Sequence, residues 1–208
     1  MLNNLSASHS GILFVVSAPS GAGKTTLIGT LRKMMNFAYS VSCTTRPPRP
    51  GEVHGEHYFF LDSSTFAAHV SAGDFLEHAE VHGHFYGTLK STVVSFLNQG
   101  TDVLLDVDTC GAASIRSCND PIVKNALADV FIMPPGLEEL GRRLRNRGTE
   151  ADEQIAVRLS NASLEMEKWR DYRYTILSGS MDSDVETFCA IMRAERALSR
   201  RLTIASLP

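Results

Sequence analysis

An apolar, β-branched run, Ile12-Leu-Phe-Val-Val-Ser17, leads straight into Ala18-Pro-Ser-Gly-Ala-Gly-Lys-Thr25. From Lys24 to Met35 the apolar residues Leu27, Ile28, Leu31, Met34 and Met35 then recur at helical spacing. This order of strand, glycine loop and helix constrains the fold more than any other stretch. A short run that is apolar throughout reads as a strand covered on both faces, which belongs to a parallel sheet between helices. Gly21 and Gly23 permit tight turns that point successive backbone N–H groups inward, and the positive end of the following helix adds to this nest for phosphate. The octapeptide fits Walker A spacing, with Ala18 at the leading glycine. A nucleoside triphosphate is expected along Ala18, Pro19, Ser20, Gly21, Ala22, Gly23, Lys24 and Thr25. Within that loop, Lys24 is expected on the β- and γ-phosphates and the Thr25 hydroxyl on magnesium.

Further apolar strands are expected at Val103-Leu-Leu-Asp106, Asp129-Val-Phe-Ile-Met133 and Tyr174-Thr-Ile-Leu177, with helical patterns between them and a closing helix over Asp184 to Arg200. The fold class is therefore α/β: a P-loop NTPase fold with a central parallel sheet flanked by helices. The stretch from 39 to 88, rich in Gly, Pro, His and aromatics, reads as an inserted subdomain. The arginine-rich segment of about 141–158 reads as a mobile lid. One domain over 10–208 results, with its core in 10–38, 89–140 and 159–208 and an N-terminal tail at 1–9. At 208 residues and 43% hydrophobic content a single core is within reach.

Asp106 closes an apolar strand, the usual place for a carboxylate that positions magnesium and its waters, so Thr25 and Asp106 are the expected metal-site residues. A phosphate loop alone leaves GTPases, ATPases and small-molecule kinases open. No Asn-Lys-x-Asp tetrapeptide, expected of a GTPase, occurs. The inserted block narrows the choice: Arg46, Arg49 and Tyr58 offer two guanidinium forks and a phenol, a compact site for a phosphate monoester. Two anion sites together imply transfer of a phosphoryl group to an acceptor that already carries a phosphate.

The pattern Thr44-Thr-Arg-x-x-Arg-x-x-Glu-x-x-Gly-x-x-Tyr-x-Phe60, with the phosphate loop before it, strongly resembles the guanylate kinase family of bacterial type, and the likeness extends over roughly Gly11 to Arg201. The resemblance implies transfer of the γ-phosphoryl group of ATP to GMP, giving ADP and GDP. It further implies that Arg46, Arg49, Tyr58 and Tyr86 hold the GMP phosphate while Ser42, Glu77, Thr88 and Asp108 read guanine. Guanine presents N1–H and N2–H₂ as donors, which suits a carboxylate; adenine does not. Arg143, Arg147 and Arg158 match the family's lid arginines and, with Lys24 and Arg46, make up the expected catalytic set; Arg142 and Arg145 fall off the matching positions. Ser178-Gly179 stands where the family usually has Asn and an acidic residue. Two other readings use the same scaffold: a kinase for another nucleoside monophosphate or a phosphosugar, and a non-catalytic interaction module, which typically lacks the loop lysine or the lid arginines.

Charge and composition limit the partners. A net charge of -3 gives no nucleic-acid footprint, and the longest apolar runs are far shorter than the roughly 20 residues of a membrane span. Cys43, Cys110, Cys118 and Cys189 form no CxxC pair, and the six histidines of the inserted block, His54, His57, His69, His78, His82 and His84, follow no metal-ligand spacing, so both sets read as incidental. The expected partners are GMP, dGMP and ATP with Mg²⁺ in a cytoplasmic enzyme, without nucleic acid or membrane; self-association into a homo-oligomer is compatible with the sequence.

Overall fold

The apolar run lies at the middle of a four-stranded parallel sheet. The computed structural model describes residues 7–81, 83–146 and 152–204. The strands are β1 (Ala7–His9), β2 (Leu13–Ser17), β3 (Cys43–Thr44), β4 (Phe59–Phe60), β5 (Phe75–Val81), β6 (His84–Leu89), β7 (Val103–Asp106), β8 (Leu127–Met133), β9 (Tyr174–Leu177) and β10 (Leu202–Ile204). The helices are α1 (Lys24–Met34), α2 (Ser63–Ala72), α3 (Lys90–Asn98), α4 (Thr109–Arg116), α5 (Pro121–Ala126), α6 (Leu137–Asn146), α7 (Asp152–Glu167) and α8 (Met181–Arg196). The central sheet has the order β7-β2-β8-β9 with parallel pairing throughout.

Side chains alternate along β2, so it needs cover on both faces. Phe14 and Val16 enter one core with Leu27, Ile28 and Leu31 of α1 and Phe188 and Ile191 of α8. Leu13 and Val15 enter another with Val93 and Leu97 of α3, Ile115 of α4 and Phe131. Phe14 meets Phe188 at 5.3 Å between ring centroids. The strand starts one residue later than the apolar run because the Ile12 amide donates to the Asp102 carboxylate at 2.9 Å. Gly11 just before it is a forced choice: a Cβ there would lie 2.4 Å from the Thr101 carbonyl oxygen and 2.8 Å from Leu97 Cα.

Strand order decides where a ligand can enter. From β2 the chain goes to β7 on one side and then to β8 on the other, so a crevice opens at the carboxyl end of β2, where the glycine loop sits. The inserted stretch carries a second four-stranded sheet, β4-β3-β6-β5, in which β5 and β6 pair antiparallel across the turn near Gly83. Gly87 on β6 lies under the Phe75 ring, where a Cβ would come within 2.9 Å.

Two expectations differ from what forms, and a third falls partly outside the described residues. Residues 7–9, assigned to a tail, build β1 and pair antiparallel with β10. The closing helix runs Met181–Arg196 rather than Asp184 to Arg200. The Ser180 hydroxyl caps it by accepting from the Ser183 amide, and after Arg196 the chain folds so that Arg201 reaches back to Glu195 at 2.6 Å. The segment assigned to a lid contains the end of α6 and the start of α7, and Arg147 lies outside the described residues.

Candidate active site

Gly21 and Gly23 adopt φ of 89° and 96°, backbone that L side chains rarely take up, and Gly23 serves as the N-cap of α1. The turn they make encloses a cavity of about 310 Å³ lined by all eight loop residues, Ala18 through Thr25, and by Thr26, Asp108 and Glu165. At its floor Lys24 Nζ donates to the Val107 carbonyl at 2.6 Å and pairs with Asp106 at 2.7 Å. Two arginines approach the loop from α6 and α7: Arg143 Nη1 lies 3.4 Å from the Ala22 carbonyl oxygen, and Arg158 Nη1 donates to the Ser20 hydroxyl at 3.1 Å. Arg143 is also paired with Glu139 at 2.8 Å, and together with Arg142 it pulls the Glu139 carboxyl down to about 2. Arg142 thus makes a surface pair with Glu139, away from the loop.

A second cavity, about 240 Å³, lies between the inserted sheet and β7, lined by Ser42, Tyr58 and Thr88 on one side and Leu104 to Val107 on the other, with Arg32, Tyr39 and Ser40 completing it. Lys24 stands between the two cavities, because both groups it holds, Asp106 and the Val107 carbonyl, line the second one. Beside it, Arg46 packs over the Tyr58 ring at 5.5 Å, and the rings of Tyr58 and Tyr86 meet edge to face at 6.0 Å. Arg46 Nη2 donates to both oxygens of Glu52 at 2.8 and 2.9 Å, which raises the guanidinium's pKa. Glu52 also accepts from the Arg49 amide at 2.7 Å, whereas the Arg49 side chain is exposed.

Of the four residues assigned to the base, Glu77, Thr88 and Asp108 come together at the edge of β5, β6 and α4, whereas Ser42 lines the second cavity with Thr88. Thr88, buried on β6, donates its hydroxyl to Glu77 Oε1 at 2.6 Å. Burial pushes the Glu77 carboxyl above its ordinary value, and the nearby Asp108 charge adds to the rise. Asp108 caps α4 by accepting from the Gly111 amide at 2.6 Å. Asp108 lines the loop cavity rather than the second one, and Glu77 lines neither.

A third cavity of about 390 Å³ shares Gly21, Ala22, Gly23 and Thr26 with the loop and extends to Ile132, Arg143, Asn146, Met181 and the turn Ser178-Gly179. The sequence reading gave no role to Glu52 or Glu165. Glu52 is a fixed member of the arginine pattern, three residues after Arg49, and this spacing was the available signal. Glu165 sits seven residues beyond Arg158, two turns on the same face of α7; burial raises its carboxyl and the Ser20 amide lowers it. Only the docking of α7 on the loop gives that face its meaning.

Comparisons with known proteins give the family. A guanylate kinase family model matches residues 10–195. A guanylate kinase of Sphingopyxis alaskensis is 45% identical over 202 residues, covering 97% of this chain and 90% of that protein. One of Escherichia coli K12 is 46% identical over 189 residues and 89% of each. The crystal structure of guanylate kinase from Anaplasma phagocytophilum superposes with a TM-score of 0.69 at 31% identity, over 95% of this chain and 93% of that one. With its phosphate loop, its paired-arginine block and this match over nearly its full length, the chain belongs to the guanylate kinase family.

Proposed function

We propose that the protein is an ATP:GMP phosphotransferase whose loop cavity takes the phosphates of ATP and whose second cavity takes GMP. The observation that carries this reading is the position of Lys24, which stands where two cavities of different construction meet. Backbone N–H groups of residues 18–25 and the start of α1 hold the donor phosphates, and Lys24 follows the charge on the transferred group. Arg143 and Arg158, and by sequence Arg147, stabilise charge that spreads over that group in the transition state. Arg46, Arg49, Tyr58 and Tyr86 hold the acceptor phosphate. Ser42, Glu77, Thr88 and Asp108 read guanine, Glu77 as the acceptor for N1–H and N2–H₂. A phosphate monoester is already a nucleophile, so positioning and electrostatic stabilisation suffice for the chemistry.

Thr25 and Asp106 suit magnesium that arrives with the nucleotide. Such an ion keeps several waters and takes only one or two protein oxygens besides the phosphates, and Thr25 lines the loop cavity while Asp106 lies beside Lys24. When bound, the ion neutralises phosphate charge during transfer. Among the described residues no helix is long and apolar enough to cross a membrane. The compartment proposed is the cytoplasm, where the nucleotides diffuse freely. The deoxy acceptor dGMP is expected to serve as well, because none of the assigned contacts involves the ribose hydroxyls.

A coupled assay of ADP production with GMP, AMP, dTMP and ribose 1,5-bisphosphate tests the reading. GMP is expected to be the preferred acceptor by about 10⁴-fold over AMP, the scale on which a site built around substrate hydrogen bonds rejects a ligand lacking them. Turnover with AMP or the sugar phosphate comparable to that with GMP would overturn the assignment, and no GMP-dependent turnover at all would favour the interaction module.

A further inference from the structure

We propose that His54 and His57 are positioning residues of the acceptor-phosphate block, which they hold in place only while their imidazoles are neutral. The proposal rests on the reading of Arg46, Arg49, Tyr58 and Tyr86 as the GMP phosphate site and deepens it. Residues 53–57 join two members of that block. On one side stands Glu52, which grips Arg46 through both carboxylate oxygens and accepts from the Arg49 amide. On the other stands Tyr58, whose ring lies under the Arg46 guanidinium. His54 and His57, which follow no metal-ligand spacing, sit within the joining stretch.

Backbone amides decide what the two rings do. β4 is the outer strand of its sheet and pairs with β3. The Phe59 and Leu61 amides donate inward to the Ser42 and Thr44 carbonyls, so the Phe60 amide between them points away from β3. His54 Nδ1 accepts from it at 3.2 Å, and the same ring meets the Phe59 ring edge to face at 5.6 Å. His57 closes the turn before Tyr58: its amide donates to the Val53 carbonyl at 3.0 Å, and its Nδ1 accepts from the Val53 amide at 3.1 Å. The Gly55 amide adds a bond to the Tyr58 carbonyl at 2.9 Å. An imidazole nitrogen that accepts from an N–H carries a lone pair, and that lone pair is where a proton adds. Both ring nitrogens of the cation are donors, so each charged ring must turn away from the amide it held. Both histidines are exposed, so the proton has free access. The other ionisable groups of the block are Arg46, Arg49, Glu52, Glu56, Tyr58 and Tyr86. Among these side-chain types histidine is the one that ordinarily changes charge between about pH 5 and 8. His69 on α2 behaves oppositely, because its contact with Asp74 at 2.9 Å is strengthened by a proton. Acidification therefore frees the stretch between Glu52 and Tyr58 and loosens the grip on the acceptor phosphate.

The experiment measures KM for GMP and for ATP between about pH 5.5 and 8 in wild type and in two double variants, His54→Asn/His57→Asn and His54→Ala/His57→Ala. Asn offers a carbonyl oxygen near the place of Nδ1 and takes up no proton; Ala offers no acceptor. The second ionisation of a phosphate monoester, near about pH 6, is common to all three proteins and cancels in their ratios. One net hydrogen bond corresponds to roughly two- to tenfold in an equilibrium constant. With two lost, KM for GMP in wild type is expected to rise on acidification at least about fivefold more than in the Asn variant, and the Ala variant is expected to show that rise already at the alkaline end. At that end the Asn variant should lie within about threefold of wild type. KM for ATP should not separate the three proteins. Equal pH profiles for wild type and the Asn variant, or a wild-type KM for GMP in the Ala variant under alkaline conditions, overturn the proposal and leave the GMP kinase reading intact. A parallel rise in KM for ATP overturns it too, since the loosening would not be confined to the acceptor block. Circular dichroism at each pH verifies folding; if the Ala variant unfolds, wild type against the Asn variant still decides. No GMP-dependent turnover by wild type at any pH overturns the underlying reading and the proposal with it.

Discussion

In Glu77, burial and the base recognition proposed for it meet in one carboxyl group. Its environment holds its pKa above the ordinary value, mainly through burial and in part through Asp108, while the Thr88 hydroxyl opposes the rise. A carboxyl whose folded pKa is raised favours folding below its unfolded pKa, and that contribution is lost as pH rises through the folded value. Replacing it with neutral Gln is therefore expected to leave the thermal midpoint at pH 7 unchanged or slightly higher, with the difference from wild type shrinking as pH falls through the raised pKa. Scanning calorimetry across that window checks the sign. The same variant points an NH₂ at a guanine donor and removes a charge-assisted bond of about 1.5–3 kcal/mol, so kcat/KM for GMP should fall roughly 10- to 200-fold. Wild-type efficiency with GMP would remove Glu77 from base recognition. Lys24→Met is a different case. The ammonium group contacts Asp106 and Val107 at the boundary between the cavities, so turnover is expected to fall below detection while calorimetric titration still finds GMP bound. Loss of both together in a folded variant would move Lys24 from the donor to the acceptor side.

Elements supply the rigidity on which these residues depend. Phe188 of α8 is fully buried against Phe14 of β2 and close to Phe37, at 5.3 and 6.4 Å between ring centroids. Phe188→Ala should cost about 3–5 kcal/mol, and for a domain of this size each kcal/mol lowers Tm by about 2–4 °C. Thermal unfolding measures the loss; a midpoint within a degree of wild type would mean that α8 is not a structural support of the central strand. β2, β7 and β8 were legible because a buried parallel strand is apolar on both faces, and β9, a half-buried edge strand, by its run of β-formers; β7 and β9 fall on the expected residues, and β8 begins two residues early. The fold class was equally plain from the loop between β2 and α1. Less was legible where long-range contacts decide. Nothing local marks Ala7–His9 as a strand, since it exists only by pairing with Leu202–Ile204. The bidentate pairing of Glu52 with Arg46 and the contact of Glu165 with the loop likewise depend on how separate segments dock, which periodicity does not encode.

At the scale of the whole molecule, the second cavity is formed by two sheets that share no strand, one carrying Ser42, Tyr58 and Thr88 and the other ending in Asp106. A ligand that bridges them gains contacts only if they draw together. Arginines on α6 and α7 already reach the loop on the donor side. GMP with a non-hydrolysable ATP analogue is therefore expected to reduce the radius of gyration in small-angle scattering, excluding water that would otherwise take the phosphoryl group. An unchanged scattering profile at saturation would assign the two cavities to a rigid frame. The order β7-β2-β8-β9 has a consequence for biosynthesis as well. The phosphate loop is made early, but the strands that clamp β2 on either side, Val103–Asp106 and Leu127–Met133, leave the ribosome much later. At the ordinary pace of translation the loop waits on the order of ten seconds for its scaffold. During that interval an apolar strand meant to be covered on both faces has neither of its sheet partners, which makes the nascent β2 a segment for a chaperone to cover.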